Sequence, residues 1–550
     1  MKYVIVGGVA SGATAAARIR RIDEFADILI LEKGKHISYA NCGLPYHLGG
    51  VIGERNKLFL QTPASFSARF NVEVRIENKV VALNPARKTV TVRTSSGSEY
   101  QETYDKLLLS PGATSFIPPT KGIHLEGIFP LRTVEDVDKI KNHCLANNVK
   151  EAVILGGGAN GLEIAENLHR LGISLAVVER GNHVIDRIDF VIASHIHQHL
   201  LQKGVRLYLE QSVESFERQE KQLKVHLTGG QTLITDMVII AVGTRPQTEL
   251  AQQAGLRLGE TGGVWVNTYL QTSEADIYAA GDTIEFPHPM TGEPVLSYLG
   301  GPANRQARVA ADNMVLGNPF PYEGFICTAI VRTFDIVVGT TGVLSKRLEA
   351  MGIRHQTCII HESSHASYYP GALPLCIQLA FHPEDGTLYG AQCVGFQGVD
   401  KRIDRLASVV QRRGTVEDLT KLEHAYAPLF SSARDPIAIA GYVGSNIVKK
   451  TMTPFSWKEV ANIDFQKSIL LDVRTPAEYA LGSIEGATHI PLDELRSRLS
   501  ELPKDKTIYA FCAIGRRGYL ATLILKAHGY QAKNLSGGYT TYVAATSKPS

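Results

Sequence analysis

Two cysteines stand in local sequences that suit thiol chemistry. Cys42 lies in SYANCGLPY, Ser38 to Tyr46, between an asparagine and a Gly-Leu-Pro turn, and the next cysteine along the chain is Cys144. The residues after the turn suit the start of a helix, whose unpaired N–H groups stabilise a thiolate and lower the pKa of the thiol. The sequence therefore predicts a reactive Cys42, against the alternative of a buried cysteine that packs as a small hydrophobe.

Cys512 opens the second candidate segment, the loop CAIGRR, which ends at Arg517. The loop follows the apolar run TIYAF and precedes a helical stretch. Successive backbone N–H groups of such a loop point inward and bind an anion. We therefore expect Cys512 to be ionised and Arg517 to add positive charge toward an incoming donor.

The composition limits what the rest of the chain can do. A length of 550 residues predicts three or four domains, and 44% hydrophobic and 20% charged residues are typical of a soluble globular protein. No segment approaches the ~20 apolar residues of a membrane span. A net charge of +3 gives no reason to expect nucleic acid as a partner. The seven cysteines are odd in number and widely spaced, so we expect no disulfide framework, no metal site and a reducing, cytoplasmic location.

One glycine-rich pattern occurs twice, over residues 3–33 and 152–180. Each copy contains a strand, a glycine turn, an Ala-rich helix, a second strand and a glutamate, which is the βαβ unit that binds a dinucleotide. Only the second copy satisfies GxGxxG, because Val9 replaces the middle glycine of the first. We expect the glycines to approach a pyrophosphate and the glutamates to bind ribose hydroxyls. The predicted residues are Gly7, Gly8, Gly12 and Glu32 in the first copy, and Gly156, Gly158, Gly161 and Glu179 in the second.

Three further segments complete a resemblance: YDKLLLSPGA (104–113), DMVIIAVGTRPQ (236–247) and TSEADIYAAGD (272–282). With the two glycine units, and in this order, they resemble the flavoprotein disulfide reductases that bind two dinucleotides, over roughly residues 1–445. The resemblance implies FAD on the first unit, a nicotinamide dinucleotide on the second, and Asp282 on the FAD ribityl chain. It also assigns Asn41, Gly112 and Gly243 to cofactor binding.

The second unit carries two carboxylates with different expected roles. The resemblance places Glu163 near the nicotinamide and the flavin, against the alternative of a solvated helix acid. Glu179 favours NADH because a carboxylate there repels a 2′-phosphate, while Arg180 keeps NADPH open. Ala159 stands where many oxidase relatives carry a tyrosine, which weakens the oxidase interpretation.

A different family pattern begins after residue 457. LLDVR, GSIEGATHIPL, CxxGxR and LSGGY occur in the order found in rhodanese domains, which they resemble over roughly residues 458–550. This resemblance implies that Cys512 carries a persulfide sulfur in its six-residue loop. It also implies that Asp472 and Arg474 form a structural ion pair beneath the loop.

These resemblances predict an α/β fold with two Rossmann-like dinucleotide-binding domains, an α+β interface domain and a C-terminal α/β rhodanese domain. The predicted FAD-binding domain covers 1–115 and resumes at 249–324, and the predicted NADH-binding domain covers 116–248. The interface or dimerisation domain is predicted at 325–445, a linker at 446–457 and the rhodanese domain at 458–550.

The lone Cys42 narrows the resemblance to one branch. SYANCGLPY is similar to the signature of the coenzyme A disulfide reductases, whose single cysteine cannot close an internal disulfide. It must share sulfur with an arriving molecule: a CoA mixed disulfide, a persulfide, or an oxygen atom as sulfenic acid. The segments around Tyr368 and Tyr426 resemble those that supply tyrosines to the partner subunit, so a homodimer is expected. We favour Tyr368 over Tyr369 because adjacent residues of an extended segment face opposite ways.

Coenzyme A itself needs cations for its phosphates, and three arginines close the first Rossmann helix. We expect Arg18, Arg20 and Arg21 to bind the phosphates of CoA, but Arg18 and Arg21 share a helix face and Arg20 points elsewhere, so not all three serve one phosphate group. The alternative is that arginines in a last helical turn only favour the helix dipole.

The sequence therefore predicts an FAD- and CoA-dependent NADH oxidoreductase that reduces persulfides or polysulfides, with Cys512 as sulfur carrier. Three alternatives stay open: a CoA disulfide reductase with a rhodanese passenger, an NADH oxidase or peroxidase, and a redox-sensing sulfur carrier with negligible turnover. Small sulfur compounds, and neither nucleic acid nor a membrane, are the expected partners.

Overall fold

The computed structural model describes residues 1–547, so residues 548–550 of the predicted rhodanese domain lie outside the described range. Contacts divide the chain into two compact units. The first unit comprises residues 1–180 and 211–325, and the second comprises residues 181–210 and the chain from 326 onward. No helix within residues 1–547 is long and apolar enough to cross a bilayer.

Residues 1–180 alternate between short apolar strands and helices. Their elements are β1 (Lys2–Val6), α1 (Ala10–Ile22), β2 (Asp27–Leu31), α2 (Leu44–Leu48), α3 (Pro63–Phe70), β3 (Glu73–Arg75), β4 (Asn78–Asn84), β5 (Thr89–Thr94), β6 (Glu99–Thr103), β7 (Lys106–Leu109), β8 (Ala113–Ser115), β9 (Ile128–Pro130), α4 (Val134–Asn147), β10 (Glu151–Leu155), α5 (Ala159–Arg170) and β11 (Ser174–Glu179). Two 3₁₀ turns, Asn41–Gly43 and Arg55–Leu58, flank α2.

Residues 181–325 begin with two elements of the second unit and continue with the rest of the first. The elements are α6 (Phe190–Gln202), β12 (Arg206–Leu209), β13 (Val213–Gln219), β14 (Gln222–Leu227), β15 (Thr232–Thr235), β16 (Met237–Ile240), β17 (Thr244–Pro246), α7 (Glu249–Gln253), β18 (Val264–Trp265), β19 (Ile277–Ala279), β20 (Ile284–Pro287), β21 (Pro294–Leu296) and α8 (Gly300–Leu316).

The remaining elements belong to the second unit. They are β22 (Ala329–Thr333), β23 (Ile336–Gly342), α9 (Ser345–Ala350), β24 (Gln356–Ser363), β25 (Pro374–Phe381), β26 (Leu388–Gly395), α10 (Val399–Gln411), α11 (Val416–Thr420), α12 (Pro436–Val448), β27 (Pro454–Phe455), α13 (Trp457–Val460), β28 (Ser468–Asp472), α14 (Pro476–Ala480), β29 (Thr488–His489), α15 (Leu492–Leu495), the 3₁₀ turn Leu499–Glu501, β30 (Thr507–Phe511), α16 (Arg516–Ala527), β31 (Ala532–Leu535) and α17 (Gly538–Thr546).

Two parallel sheets form the core of the first unit. The first has the order β19-β7-β1-β2-β3. In the second, β10 pairs with β11 and β16, and β16 pairs with β9. Their central strands, such as KYVIV and EAVIL, are almost fully buried, as parallel strands covered by helices on both faces must be. The α/β class predicted from the two βαβ patterns is therefore confirmed.

The second unit contains one antiparallel and one parallel sheet. The antiparallel sheet has the order β22-β23-β26-β25-β24, with α10 and α12 against it and α6 in contact with β26. The parallel sheet, β27-β31-β30-β28-β29, has α16 and α17 packed on it. Each parallel sheet leaves the carboxyl ends of its strands at one edge, where the loops that carry the candidate site residues begin.

Candidate functional site

The first glycine turn allows no side chain at two of its positions. Gly7 has φ +95°, and a Cβ there would lie 2.3 Å from the Ser110 carbonyl oxygen. A Cβ on Gly12 would lie 1.8 Å from the Gly7 carbonyl oxygen. Glycine therefore lets α1 begin directly against the end of β1, which brings its N-terminal N–H groups to the position where a pyrophosphate binds.

The second glycine turn repeats this geometry. Gly156 has φ +99°, with a Cβ position 2.5 Å from the Ala241 carbonyl oxygen, and a Cβ on Gly161 would lie 2.0 Å from the Gly156 carbonyl oxygen. The space beside Gly158 is open. The two halves of the first unit thus offer two matching cradles for dinucleotides.

A glutamate closes each cradle. Glu32 Oε2 accepts a hydrogen bond from the Gly8 N–H at 2.8 Å, and its Oε1 accepts one from the Gly34 N–H at 2.7 Å. Glu179 Oε2 accepts one from the Gly157 N–H at 2.8 Å. Both carboxylates are therefore held at the ends of β2 and β11, where the dinucleotide ribose is expected.

The three later segments return to the same cradles. Gly112 and Gly243 have φ +75° and +117°, with open space where a side chain would stand. Asp282 follows Gly281, and its Oδ2 accepts a hydrogen bond from Arg132 Nη2 at 2.7 Å. Arg132 was not predicted from the sequence, because nothing near FPLRT in the chain links it to residue 282.

Cys42 lies in the 3₁₀ turn before α2, not at the first residue of the helix. Its side chain is exposed, and its N–H donates to the Asn41 side-chain oxygen at 3.0 Å. Loss of water around the thiol raises its pKa, the Glu163 carboxylate raises it further, and Arg132 opposes both. The shift is therefore opposite to the predicted lowering, because loss of water and the charge of Glu163 outweigh Arg132 and the N–H groups of a five-residue helix.

Glu163 lies on α5, one turn after the second cradle, and it is partly buried. The Tyr46 hydroxyl of α2 donates to Glu163 Oε1 at 3.3 Å. Burial raises the pKa of Glu163. The alternative of a fully solvated helix acid does not describe this residue. Tyr46 is a second site residue that sequence reasoning missed, although it stands in the SYANCGLPY motif.

The two predicted tyrosines of the second unit meet each other. Their hydroxyl oxygens are 2.9 Å apart, and the side chains of Tyr368 and Tyr426 are 74% and 46% exposed. This hydrogen bond raises the pKa of Tyr426. The segment around Tyr368 is a turn and not extended. The rings of Tyr369 and His365 pack edge to face, with 5.8 Å between their centres. Tyr368 and Tyr426 together present an exposed pair of hydroxyls.

The three arginines of α1 have different surroundings. Arg20 is buried, and all five of its N–H groups donate to backbone carbonyls, those of Phe70, Asp23, Glu24, Ala26 and Asn71. Arg18 Nε donates to Asp312 Oδ1 at 2.5 Å, and Arg21 lies 5.5 Å from the centre of the Phe70 ring. Arg20 is left with no donor for a phosphate and has a structural role.

Cys512 follows β30 and is buried at the base of its loop. The Gly515 N–H donates to Cys512 Sγ at 3.2 Å, and the Tyr539 N–H donates to the Cys512 carbonyl at 2.8 Å. A Cβ on Gly538 would lie 2.5 Å from that carbonyl oxygen, so the LSGGY motif needs glycine there. The loop therefore directs a backbone N–H toward the sulfur, as expected for a loop whose inward-pointing N–H groups bind an anion.

Arg517 is held at the loop by Glu478. Its Nη1 and Nη2 donate to the two carboxylate oxygens of Glu478 at 2.7 and 2.6 Å. This pair lowers the pKa of Glu478 to about 2 and raises that of Arg517, to which Cys512 also contributes. Sequence reasoning missed Glu478, although the capping pattern Thr475-x-x-Glu478 places it at the start of α14.

The predicted ion pair beneath the loop is present. Arg474 Nη2 donates to Asp472 Oδ2 at 2.6 Å, both side chains are buried, and the guanidinium lies 4.1 Å from the centre of the Tyr539 ring. Ser483 also donates to Asp472 at 2.7 Å. These contacts fix the ends of β28 and α17 around the Cys512 loop.

Comparison with known proteins agrees with this geometry. Residues 1–307 match the pyridine nucleotide-disulphide oxidoreductase model, residues 328–436 its dimerisation domain and residues 456–545 the rhodanese-like domain. The coenzyme A disulfide reductase of Staphylococcus aureus strain JH9 is 33% identical over 442 residues, which are 80% of this chain and 99% of that protein.

Two solved structures resemble the whole chain. The reduced Bacillus anthracis CoADR-RHD is 42% identical with a TM-score of 0.97, covering 99% of this chain and 98% of that one. The NAD-dependent persulfide reductase from A. fulgidus is 35% identical with a TM-score of 0.92, covering 100% of both chains. FAD and NAD(H) are the cofactors of this family, and the two glycine cradles fit them. The chain belongs to the pyridine nucleotide-disulphide oxidoreductase family and carries a C-terminal rhodanese-like domain.

Proposed function

We propose that this enzyme is an FAD- and CoA-dependent NADH oxidoreductase that reduces the S–S bonds of persulfides and polysulfides. In this proposal Cys42 is the reducing thiol and Cys512 carries the sulfane sulfur. The observation that carries the proposal is the presence, on one chain, of a lone exposed thiol at Cys42 and of a loop whose Gly515 N–H donates to the buried Cys512 sulfur.

The surroundings of Cys42 support its assignment. Among the cysteines of residues 1–547 it is the exposed one, while Cys144 and Cys327 are partly buried and the other four are buried. An accessible thiol without a neighbouring cysteine must form its disulfide with an incoming molecule. We therefore propose that Cys42 attacks the inner sulfur of a persulfide RSSH, forms a Cys42–S–S–R bond and releases HS⁻.

The cofactor residues are proposed from the two cradles. One set would hold FAD: Gly7, Gly8, Gly12, Glu32, Asn41, Gly112 and Asp282. The other would hold NADH: Gly156, Gly158, Gly161, Glu163, Glu179 and Gly243. When bound, FAD supplies the relay of two electrons from NADH to the Cys42 disulfide, so that the overall reaction is NADH + H⁺ + RSSH → NAD⁺ + RSH + H₂S. Glu179 supports NADH over NADPH through its negative charge.

Proton supply to the departing thiolate is proposed for the tyrosine pair. Tyr368 and Tyr426 hydroxyls are exposed and joined by a hydrogen bond, so one can donate while the other stabilises it. In a homodimer of the kind that the dimerisation-domain match supports, these hydroxyls would act on the Cys42 site of the partner subunit. Cys42, Cys512, Tyr368, Tyr426 and Arg517 are the residues to which we assign the chemistry.

Coenzyme A is proposed as a bound carrier. Arg21 is exposed at the end of α1, and Arg18 lies on the same face, so both suit phosphate groups whose pantetheine arm reaches Cys42. Burial of Arg20 removes it from this proposed site. The seven free thiols support a reducing compartment, and we propose a cytoplasmic location.

A second candidate is a CoA disulfide reductase with a rhodanese passenger. The Staphylococcus aureus relative favours it, because its match covers 80% of this chain. The NADH oxidase and sulfur-sensor alternatives have no comparable observation in their favour.

The test is anaerobic NADH oxidation with a low-molecular-weight persulfide, inorganic polysulfide and CoA disulfide. We expect persulfide and polysulfide to give the faster turnover, and Cys512→Ser to abolish sulfurtransferase activity while leaving CoA disulfide reduction intact. If CoA disulfide is the fastest substrate, the second candidate replaces the proposal. If NADH is consumed only when oxygen is present, the enzyme is an oxidase, and negligible turnover on all substrates would identify a sensor.

A further inference from the structure

A cluster of three metal-binding side chains lies in the second unit, apart from the cysteines discussed so far. His361 of β24 and Cys376 of β25 are directly opposite partners in the antiparallel pair. Side chains of directly opposite residues share one face of the sheet, with Cβ atoms about 4.5–5.5 Å apart. The ring of His195 on α6 lies 5.8 Å from that of His361, centre to centre. One ligand atom of each residue lies within 4.8 Å of the other two.

His195, the third member of the cluster, has a polar side-chain atom without a hydrogen-bond partner. His195 Nε2 is buried and has no hydrogen-bond partner. Buried polar atoms without a partner are rare in folded proteins and indicate a missing water or ion. A neutral imidazole keeps one ring nitrogen with a free lone pair, which is the group that binds a metal ion.

We propose that His195, His361 and Cys376 bind one thiophilic transition-metal ion, Zn²⁺ or Cu⁺. Two imidazoles and a thiolate are the donors that these ions select, and sites of this kind exclude Mg²⁺ and Ca²⁺. Metal–ligand bonds of 2.0–2.3 Å place tetrahedral ligand atoms roughly 3.5 Å apart, so the side chains close by about 1 Å on binding. Cys376 loses its proton to solvent when the metal–sulfur bond forms, and no electron is transferred.

The cluster lies beside α17 of the C-terminal domain, which His361 contacts. Thr541 Oγ1 lies 2.7 Å from His361 Nε2, a contact of the kind that orients metal-bound histidines. Thr541 belongs to α17, which carries the LSGGY end of the Cys512 domain, and Arg516 forms an ion pair with Glu362 beside it. A bound ion therefore joins α6 directly to the antiparallel sheet, and the Thr541 contact connects the His361 ligand to α17. Only one of the three ligands is a cysteine, and His195 is distant in the chain from the other two, which is why the spacing of the cysteines predicted no metal site.

The experiment measures metal content of the full-length, FAD-loaded chain. Cys42→Ser/Cys512→Ser serves as the background, so that neither reactive thiol binds the ion. This chain is incubated with Zn²⁺, or anaerobically with Cu⁺, passed over a weak chelating resin and analysed by elemental mass spectrometry. We expect about one ion of one of the two metals per chain, and a higher melting temperature with that metal.

Cys393 supplies the matched control. It is also buried, but it pairs with Ile377 and so lies on the opposite face of the sheet. In the same background Cys393→Ala should keep the ion and Cys376→Ala should lose it. His195→Gln, which changes a helix residue, gives the same answer if Cys376→Ala does not fold. The proposal would be overturned if the background chain bound neither Zn²⁺ nor Cu⁺, or if all these variants bound equal amounts of metal.

Discussion

Tyr46 donates a hydrogen bond to Glu163, 3.3 Å from its Oε1, and so joins the helix after Cys42 to the helix of the second glycine cradle. Burial raises the pKa of this glutamate, and the glutamate in turn raises the pKa of Cys42. The reactivity of the thiol therefore depends on a carboxylate from the other half of the first unit.

The first prediction concerns this coupling. Glu163→Gln removes a negative charge and should lower the pKa of Cys42, so that alkylation by iodoacetamide becomes faster near pH 8. Arg132→Gln removes the opposing positive charge and should raise the pKa, which makes alkylation slower at the same pH. The rate is followed against pH by mass spectrometry of the Cys42 peptide. Shifts of the same sign in both variants would contradict this electrostatic account.

The second prediction concerns the Cys512 loop. Glu478→Gln keeps the shape of the side chain but removes its charge and one of its two acceptor oxygens, so that one hydrogen bond from Arg517 is lost and the guanidinium is less well placed. Sulfurtransferase activity should fall about tenfold, the effect of a charged hydrogen bond worth roughly 1.5 kcal/mol. Arg517→Lys should reduce sulfurtransferase activity at least as much, because a lysine ammonium cannot donate to both carboxylate oxygens of Glu478 in the geometry of a guanidinium.

The control for that experiment is Glu494→Gln, which removes an exposed carboxylate partner of Arg498 on the same domain. It should leave sulfurtransferase activity unchanged. CoA disulfide reduction should be unaffected in all three variants, and its parallel loss would show that the two thiols are not chemically separate.

The sequence was sufficient for features that are local in the chain. Gly7, Gly12, Gly156 and Gly161 stand in turns of a few residues, and the φ angles and close approaches found there are those that the motifs require. The CAIGRR loop is equally local, and its Gly515 N–H reaches the cysteine sulfur as expected.

The rest depends on residues brought together from distant segments. Arg132 with Asp282 and Glu478 with Arg517 have no local signal that pairs them. The pKa of Cys42 is raised and not lowered, because burial of the thiol in the fold and, after it, the charge of Glu163 do not show in its motif. The helical periodicity of α1 likewise could not show that every N–H group of the Arg20 guanidinium donates to a backbone carbonyl.

The third prediction separates those arginines. The Arg18→Ala/Arg21→Ala variant should bind CoA at least tenfold more weakly, since each charged contact to a phosphate is worth roughly 1.5–3 kcal/mol. Arg20→Ala should instead lower the melting temperature, because five backbone carbonyls lose their donors. Mass spectrometry of the non-reduced wild-type protein should find CoA, partly as a disulfide with Cys42. Absence of CoA and of its adduct, with equal affinity in wild type and variant, would reject the CoA site.

The fourth prediction concerns action between subunits. Cys42→Ser and Tyr426→Phe homodimers should both be impaired. After subunit exchange, mixed dimers should regain activity, because one of their two sites combines an intact Cys42 with the partner's intact tyrosine. Exchange is verified with differently tagged chains. Proven exchange without any recovered activity would exclude action of the tyrosines across the dimer interface.

The most direct test of the account is steady-state, anaerobic NADH oxidation by Cys42→Ser with persulfide as substrate. Cys144→Ser serves as control, because Cys144 is partly buried and its Sγ contacts Met237 Sδ at 3.9 Å. Cys42→Ser should retain its full complement of FAD, measured by absorbance, and lose at least about a thousandfold in turnover, as expected when a nucleophile is removed. Cys144→Ser should match wild type. Near-normal turnover by FAD-loaded Cys42→Ser would contradict the account.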